Sequence, residues 1–444
     1  MPKPPIIQVE CLTPEIIDQC GGNVFITGRA GSGKSTLLSQ YVNAIKRTKK
    51  VAVLAPTGIA ALNVGGQTIH RFFRINPARP MERPPKALRA VLQALEVLVI
   101  DEVSMARADL IDQIDERLRQ ARGNNRPFGG VRMIFFGDPY QLPPVVRREE
   151  IKTFQRQWKT PFFFGARAFA EGQFQTFVMT KVYRQTDPVF INVLEEVRQG
   201  RLTPSGLDAL NARHRAALDE QEFLVTLSGT NADAAVINRA RLDALPGSVV
   251  TYQAKITGDF SAGAVTAPEC LEIKPDAQVM LLTNDPLDRW VNGTMARVIR
   301  PVSETAVLVE TENGQRVTVE PHTWRLERPV EKDGRIKSVT TGTFTQFPMT
   351  LAWAVTIHKS QGKTFERLRL SLSDAFAPGQ FYVALSRARS LEGLTLDYRA
   401  RREMAFASED VVLFFDNPEA FYPDPNPSDQ ALDRSVNLSM ELFS

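Results

Sequence analysis

Gly28-Arg29-Ala30-Gly31-Ser32-Gly33-Lys34-Ser35 lies between a β-rich run, Asn23-Val24-Phe25-Ile26-Thr27, and a stretch over 34–45 with apolar residues at helical spacing. The order is strand, loop, helix. Glycines at both ends of the loop, then lysine and a hydroxyl, complete a phosphate-cradle pattern in which backbone N–H groups point inward around an anion. In that pattern Lys34 reaches the β and γ phosphates and Ser35 supplies an oxygen to Mg²⁺. A glycine turn with an accidental lysine is the competing reading, and the flanking strand and helix argue against it.

Outward from this loop, 51–55, 97–100 and 131–136 are further short apolar runs separated by helical segments. Continuous apolar strands alternating with helices predict a parallel sheet covered on both faces. A second series follows, with strands expected at 222–227, 278–282, 367–372 and 394–397 and helices at 231–244, 351–358 and 379–387. The fold class is therefore α/β with two such domains, as 444 residues also suggest. Alternating residues around Asn313-Gly314 predict a hairpin, hence a small β module inserted between about 297 and 344. Pro77, Pro80, Pro84 and Pro85, mixed with basic residues, exclude a strand or helix through that stretch and mark another insertion.

No apolar run approaches the roughly 18 residues of a membrane span, and the opening Met1-Pro2-Lys3-Pro4-Pro5 has no signal-peptide core. A cytoplasmic protein of bacterial type, with no targeting segment, is expected. Cys11, Cys20 and Cys270 lack metal-ligand spacing, and an odd count argues against a disulfide framework. A net charge of +4 permits a polyanionic partner without requiring one.

Glu96-Val97-Leu98-Val99-Ile100-Asp101-Glu102 ends an apolar strand with two carboxylates. Beside a phosphate cradle, Asp101 would hold Mg²⁺ through water, and Glu102 would orient and deprotonate an attacking water. The alternative is a helix N-cap with its first-turn partner. Arg184 and Arg387 are the candidates for meeting charge that develops on a γ-phosphate, since a guanidinium is a planar fork matched to phosphate oxygens.

The ordered set of segments resembles the Pif-one (petite integration frequency) helicases, within superfamily 1B and close to the RecD-like proteins. Residues 27–36 resemble motif I, which implies ATP contacts from Gly28, Ala30, Gly31, Ser32, Gly33, Lys34, Ser35 and Thr36. Ala55-Pro56-Thr57-Gly58 with Thr68-Ile69-His70 resembles motif Ia and its extension, and 100–105 motif II. Gly137-Asp138-Pro139-Tyr140-Gln141 is similar to motif III, with Gln141 implied as γ-phosphate sensor. Tyr183-Arg184-Gln185 resembles motif IV, and Thr356-Ile357-His358-Lys359-Ser360-Gln361-Gly362 motif V, which adds Gln361 and Gly362 to the nucleotide site. Tyr382-Val383-Ala384-Leu385-Ser386-Arg387 is similar to motif VI.

The resemblance implies two RecA-like domains in tandem. Motifs I, Ia, II and III fall in 1–176, with a wedge insertion at about 72–92; motifs IV, V and VI fall in 177–296 and 345–422, with an SH3-like insertion at 297–344 and a tail at 423–444. It also implies ATP and Mg²⁺, travel 5′ to 3′ along single-stranded DNA, and unwinding of forked duplex DNA by a monomer; quadruplex DNA is compatible with it. Pro56, Thr57, Gly58, Thr68, His70, Thr230, Asn231, His358 and Ser360 are the implied DNA contacts, although caps and core polar roles suit the same residue types. The glutamine that such helicases carry upstream of motif I is replaced by Ile16 after Leu12-Thr13-Pro14-Glu15, leaving Gln8 and Gln19 as adenine candidates. Trp290-Val291-Asn292-Gly293-Thr294 reads as a packed indole before a tight turn. A nucleotide-gated clamp on single-stranded DNA is the alternative function; a small-molecule kinase would leave the segment ending at Arg387 unexplained.

Overall fold

A computed structural model describes residues 5–75, 83–219, 223–260, 265–332, 335–372 and 377–421. Seven strands form the first sheet: β1 (Ile6–Val9), β2 (Val24–Gly28), β3 (Val51–Ala55), β4 (Gln67–Thr68), β5 (Val97–Ile100), β6 (Arg132–Phe136) and β7 (Gln175–Met179). Their order is β1-β7-β2-β6-β5-β3-β4, and every pairing is parallel. Alternate side chains serve opposite faces. Val24, Ile26, Val97, Val99, Ile134 and Phe136 meet Leu37, Leu38, Tyr41 and Ile45 of the helix Lys34–Ile45. Phe25, Leu98, Ile100, Met133 and Phe135 meet Ile111, Ile114 and Leu118 of the helix Ala108–Arg122. Burial on both faces is why β2 and β5 read as unbroken apolar runs.

A second parallel sheet has the order Ala354–Thr356, Val225–Ser228, Leu368–Ser371, Leu394–Leu396. Two expectations change here. The helix expected over 351–358 is instead the end of one strand, Met349–Leu351, and a second strand, Ala354–Thr356. All three residues of the latter are buried, and a short apolar run has no periodicity that separates strand from helix. The strand Gln278–Leu281 forms, but in an antiparallel sheet between Met295–Ser303 and Met349–Leu351.

That antiparallel region is wider than 297–344. It begins with Val250–Gln253, paired with Cys270–Ile273, and Lys255–Gly258, paired with Arg335–Gln346. It continues through Ala306–Thr311 and Arg316–Val319, the hairpin expected at Asn313-Gly314, and through His322–Lys332 against Arg335–Gln346. Strand Ala306–Thr311 alternates buried and half-buried residues, as a sheet with one wet face requires.

Residues 76–82 of the expected wedge and the tail from 423 onward lie outside the described residues. Next to the former, the helix Lys86–Ala94 buries Leu88, Val91 and Leu92 and packs beside His322–Lys332. Nearby, Arg71 Nη2 donates to Thr341 Oγ1 at 2.7 Å.

The helix Glu409–Asp416 falls inside the 345–422 expected for the second domain. It returns to the first sheet, where Phe414 stacks on Phe164 at 4.4 Å and contacts Phe25 and Phe169. Its apolar pattern says that it packs, not against which sheet. Phe414→Ala leaves an aromatic-sized hole in this cluster and is expected to cost about 3–5 kcal/mol of first-domain stability, read as a lower denaturation midpoint in urea; an unchanged midpoint would remove the helix from the core.

Candidate nucleotide site and strand-facing loops

The cradle loop runs from the end of β2 into the helix Lys34–Ile45, with Gly33 at the N-cap. Gly31 has φ +78°, and a Cβ there would stand 2.4 Å from Arg184 Cβ, so the second domain approaches the loop as closely as glycine allows. Lys34 Nζ donates to Gly28 O at 2.7 Å, to Arg29 O at 2.9 Å and to Ser32 Oγ at 3.4 Å. Burial lowers the Lys34 pKa, while the carboxylates of Asp138 and Glu102 oppose that shift. One loop amide already serves the other domain: Ala30 N–H donates to the Tyr382 hydroxyl at 2.8 Å.

Asp101 and Glu102 follow β5 toward this loop. Burial, then the Glu102 charge, raises Asp101 to about 7. Burial also raises Glu102, against the pull of Lys34 and Arg387. Glu102 takes φ 49°, ψ 39°, and its side chain makes no capping hydrogen bond to the short helix Val103–Met105, so the N-cap alternative is not realised. Desolvated carboxylates facing ammonium and guanidinium groups suit phosphate and cation chemistry.

Gln141 Nε2 donates to Asp138 Oδ2 at 3.3 Å. Asp138, fully buried, also accepts from Arg198 Nη2 at 3.2 Å, and the Arg198 guanidinium lies 4.1 Å from the Tyr140 ring centroid. Arg29 pairs with Glu195 at 2.8 Å. The helix Pro188–Arg198 is thus tied to two loops of the first domain.

Arg184 donates to Ser386 O at 3.1 Å and Gly362 O at 3.3 Å. Arg387, 2% exposed, donates to Val383 O at 2.9 Å, Ser360 O at 3.3 Å and Ser386 Oγ at 2.7 Å. Burial, then the neighbouring Arg184 charge, lowers Arg387 to about 9. A cleft of about 510 Å³ brings Lys34, Ser35, Glu102 and Gln141 together with Arg184 and Arg387. Tyr183, Thr364 and Arg389 also line it and were missed in the sequence; Tyr183 stands inside a quoted motif, but nothing in its spacing gives its direction. A larger hollow of about 620 Å³ opens along the helix Ala108–Arg122. Its Asp112, Asp115 and Glu171 are engaged by Trp158 and Arg119, and no phosphate loop faces it.

The PIF1-like helicase family matches residues 9–205. The ATP-dependent DNA helicase Pif1 of Bdellovibrio bacteriovorus is 35% identical, over 88% of this chain and 89% of its own. This chain belongs to the PIF1-like helicase family. Pif1 from Bacteroides sp in complex with ADP-AlF4 superposes with a TM-score of 0.84 at 36% identity, covering 92% of this chain and 95% of that one. Bacteroides Pif1 bound to ssDNA superposes at 0.66, with 36% identity and coverage of 91% and 96%. The chain spans 61% of the length of two other curated relatives that it matches, which are longer.

In this PIF1-like chain the candidate DNA contacts sit at the ends of sheet strands and in the loops and helix starts that follow them. Pro56, Thr57 and Gly58 follow β3, and Thr57 Oγ1 accepts from Ala60 N–H at 3.2 Å. Thr68 caps the helix Ile69–Phe73, which carries His70, and Thr230 caps the helix Asn231–Ala244. Thr57 and Thr68 are half-buried and Thr230 is exposed, so capping and access to solvent coexist at all three. Asn231 and His358 are exposed. Burial lowers the His70 pKa. Ser360, an implied DNA contact, is fully buried: its hydroxyl donates to Ile357 O at 2.7 Å, and its carbonyl accepts from Arg387. Gln361 is half-buried, and its Nε2 has no hydrogen-bond partner among the described residues.

Because the folded chain holds Asp101 near 7 rather than at its ordinary 3.8, it binds that proton more tightly than the unfolded chain does, and stability falls as pH rises between those values. Asp101→Asn removes the penalty. It is expected to raise stability at pH 8 by on the order of 1–2 kcal/mol, discounted for residual solvent contact, and to lose that advantage near pH 4. Thermal melts at the two pH values decide it; a larger gain at the lower pH would reverse the assignment.

Proposed function

We propose that this chain is an ATP-dependent DNA helicase that moves 5′ to 3′ along single-stranded DNA and parts duplex DNA at a fork in genome maintenance. The observation that carries this reading is the cleft in which cradle-loop, carboxylate and glutamine groups of one RecA-like domain face two arginines of the other. Closure of that cleft on a nucleotide would draw the domains together, and its loss would release them. Such a cycle moves a strand only when the nucleotide has different affinities for the two arrangements.

In this reading Gly28, Ala30, Gly31, Ser32, Gly33, Lys34, Ser35 and Thr36 cradle the phosphates. Gln361 and Gly362 close the site from the second domain. Glu102 orients the attacking water and takes its proton, Gln141 senses the γ-phosphate, and Arg184 and Arg387 meet the charge that develops on it. Mg²⁺ fits the donors: the Ser35 hydroxyl and the Asp101 carboxylate are hard oxygen ligands, and a cation that also takes phosphate oxygens needs few protein ligands. They would hold it where it neutralises charge between the phosphates. The Glu102 carboxylate stays available for water.

The strand would cross Pro56, Thr57, Gly58, Thr68 and His70 on the first domain and Thr230, Asn231 and His358 on the second. Small polar groups and loop amides meet phosphates without a large basic field, which fits the net charge of +4. We assign 1–176 together with the returning 409–421 to the first domain, with the wedge at about 72–92. The second comprises 177–249 and 352–408, with the antiparallel insertion between. Both halves of the site belong to one chain, which supports a monomer as the minimal motor. A cytoplasmic location suits a DNA substrate, and a folded quadruplex is a further substrate to test.

Glu102→Gln is expected to cut strand-stimulated ATP turnover by about 10²–10⁴-fold with nucleotide binding kept. Arg387→Ala and Arg184→Ala are expected to cut it by about 10³-fold or more. Forked duplexes with only a 5′ or only a 3′ tail complete the test. Unwinding from the 3′ tail would overturn the polarity, and ATP turnover without unwinding from either would favour the clamp.

A further inference from the structure

Gly362-Lys363-Thr364 presents two residues to the nucleotide cleft and one away from it. Gly362 and Thr364 line the cleft, and Gly362 O accepts from Arg184 Nη2. Lys363 instead donates its amine to Asn292 Oδ1 at 2.5 Å. Asn292 Nδ2 then donates to Asn63 Oδ1 at 3.2 Å. A lysine ammonium can only donate, so Asn292 must turn its oxygen to Lys363 and its NH₂ to Asn63. The chain of groups has one direction and spans both domains.

This junction is held from several sides. Asn292 N–H donates to Asn284 Oδ1 at 2.8 Å, which fixes the turn that carries the amide. Gly293 follows with φ +104°, a conformation that L side chains rarely adopt, and the Lys363 stem packs over it, with Cγ 3.5 Å from where a Cβ would stand. Burial lowers the Lys363 amine to about 8, and its one hydrogen-bond acceptor among the described residues is a neutral amide. A desolvated lysine without a carboxylate contributes little net stability in such a place. A role in geometry accounts for it better than a role in holding the fold.

Asn63 closes the helix Gly58–Asn63, whose first turn begins at the strand-facing Thr57 and Gly58. We propose that Lys363 is a positioning residue that transmits the state of the nucleotide cleft through Asn292 and Asn63 to the strand-facing loop of the first domain. The inference rests on the helicase reading above. Movement of the 362–364 segment with the nucleotide shifts Lys363, the amide of Asn292 follows, and the far end of a helix of six residues is pulled or released. A rigid lever this short passes a small displacement from one of its ends to the other.

The test is the affinity for an oligo(dT) strand, by fluorescence anisotropy, without nucleotide and with ADP–aluminium fluoride. The wild-type ratio of the two affinities is expected to be about tenfold, within the ordinary range of coupling between sites. In Lys363→Met it falls to within about twofold of one, with the thermal unfolding midpoint and ADP–aluminium fluoride binding unchanged. Asn63→Ala, on the exposed far side, collapses the ratio equally, and the double variant is no worse than either single one, as members of one linkage require. A ratio preserved in Lys363→Met, or strand affinity weakened equally in both states, would overturn the linkage and leave the helicase reading standing. A wild-type chain whose strand affinity ignores nucleotide would overturn both.

Discussion

The buried pair Asp138–Arg198 is the contact on which the two-domain arrangement turns. Removing both charges from water is expensive, and only a nearly complete set of partners makes the arrangement tolerable. Here Arg198 has Asp138, Glu195 and the face of Tyr140, while Asp138 also receives Gln141, and among the described residues the Arg198 Nε alone of that guanidinium is left without a hydrogen-bond partner. The pair therefore fixes the glutamine of the cleft and the helix Pro188–Arg198 in one stroke. That helix in turn holds Arg29 of the cradle loop through Glu195. A small shift of one domain would strand a buried charge, so the seam favours discrete positions over a continuous slide.

Arg387 shows a related economy. Its guanidinium has five N–H donors, and three are engaged inside its own domain, on Val383 O, Ser360 O and Ser386 Oγ. The same side chain lines the cleft that also contains Glu102. An arginine anchored this way keeps its orientation while the opposite domain moves. It acts as a fixed fork rather than a searching side chain, which suits electrostatic stabilisation that needs no reorganisation at the moment of reaction.

Much of this was legible in the sequence where local chemistry decides conformation. The cradle loop, the strand before it and the helix after it, the Thr230-capped helix over Asn231–Ala244 and the turn at Asn313-Gly314 all carry their own signals in caps, glycines and periodicity. The failures share one cause. Residues 351–358, the strand Gln278–Leu281 and the helix Glu409–Asp416 are apolar segments whose partners lie far away in sequence, and hydrophobicity does not name a partner. The burial of Ser360 was not legible either, because a serine inside a motif gives no sign of whether it is exposed or packed against an arginine.

The return of Phe414 to the cluster around Phe25 and Phe164 has a consequence for how the molecule is made. The aromatic side chain that completes the outer layer of strand β2 is translated almost four hundred residues after that strand. Domains generally fold as units in the order of synthesis. Here the aromatic cluster around Phe25 and Phe164 stays open on one side until residue 414 has been made, so the packing of this sheet is completed by one of the later segments of the chain.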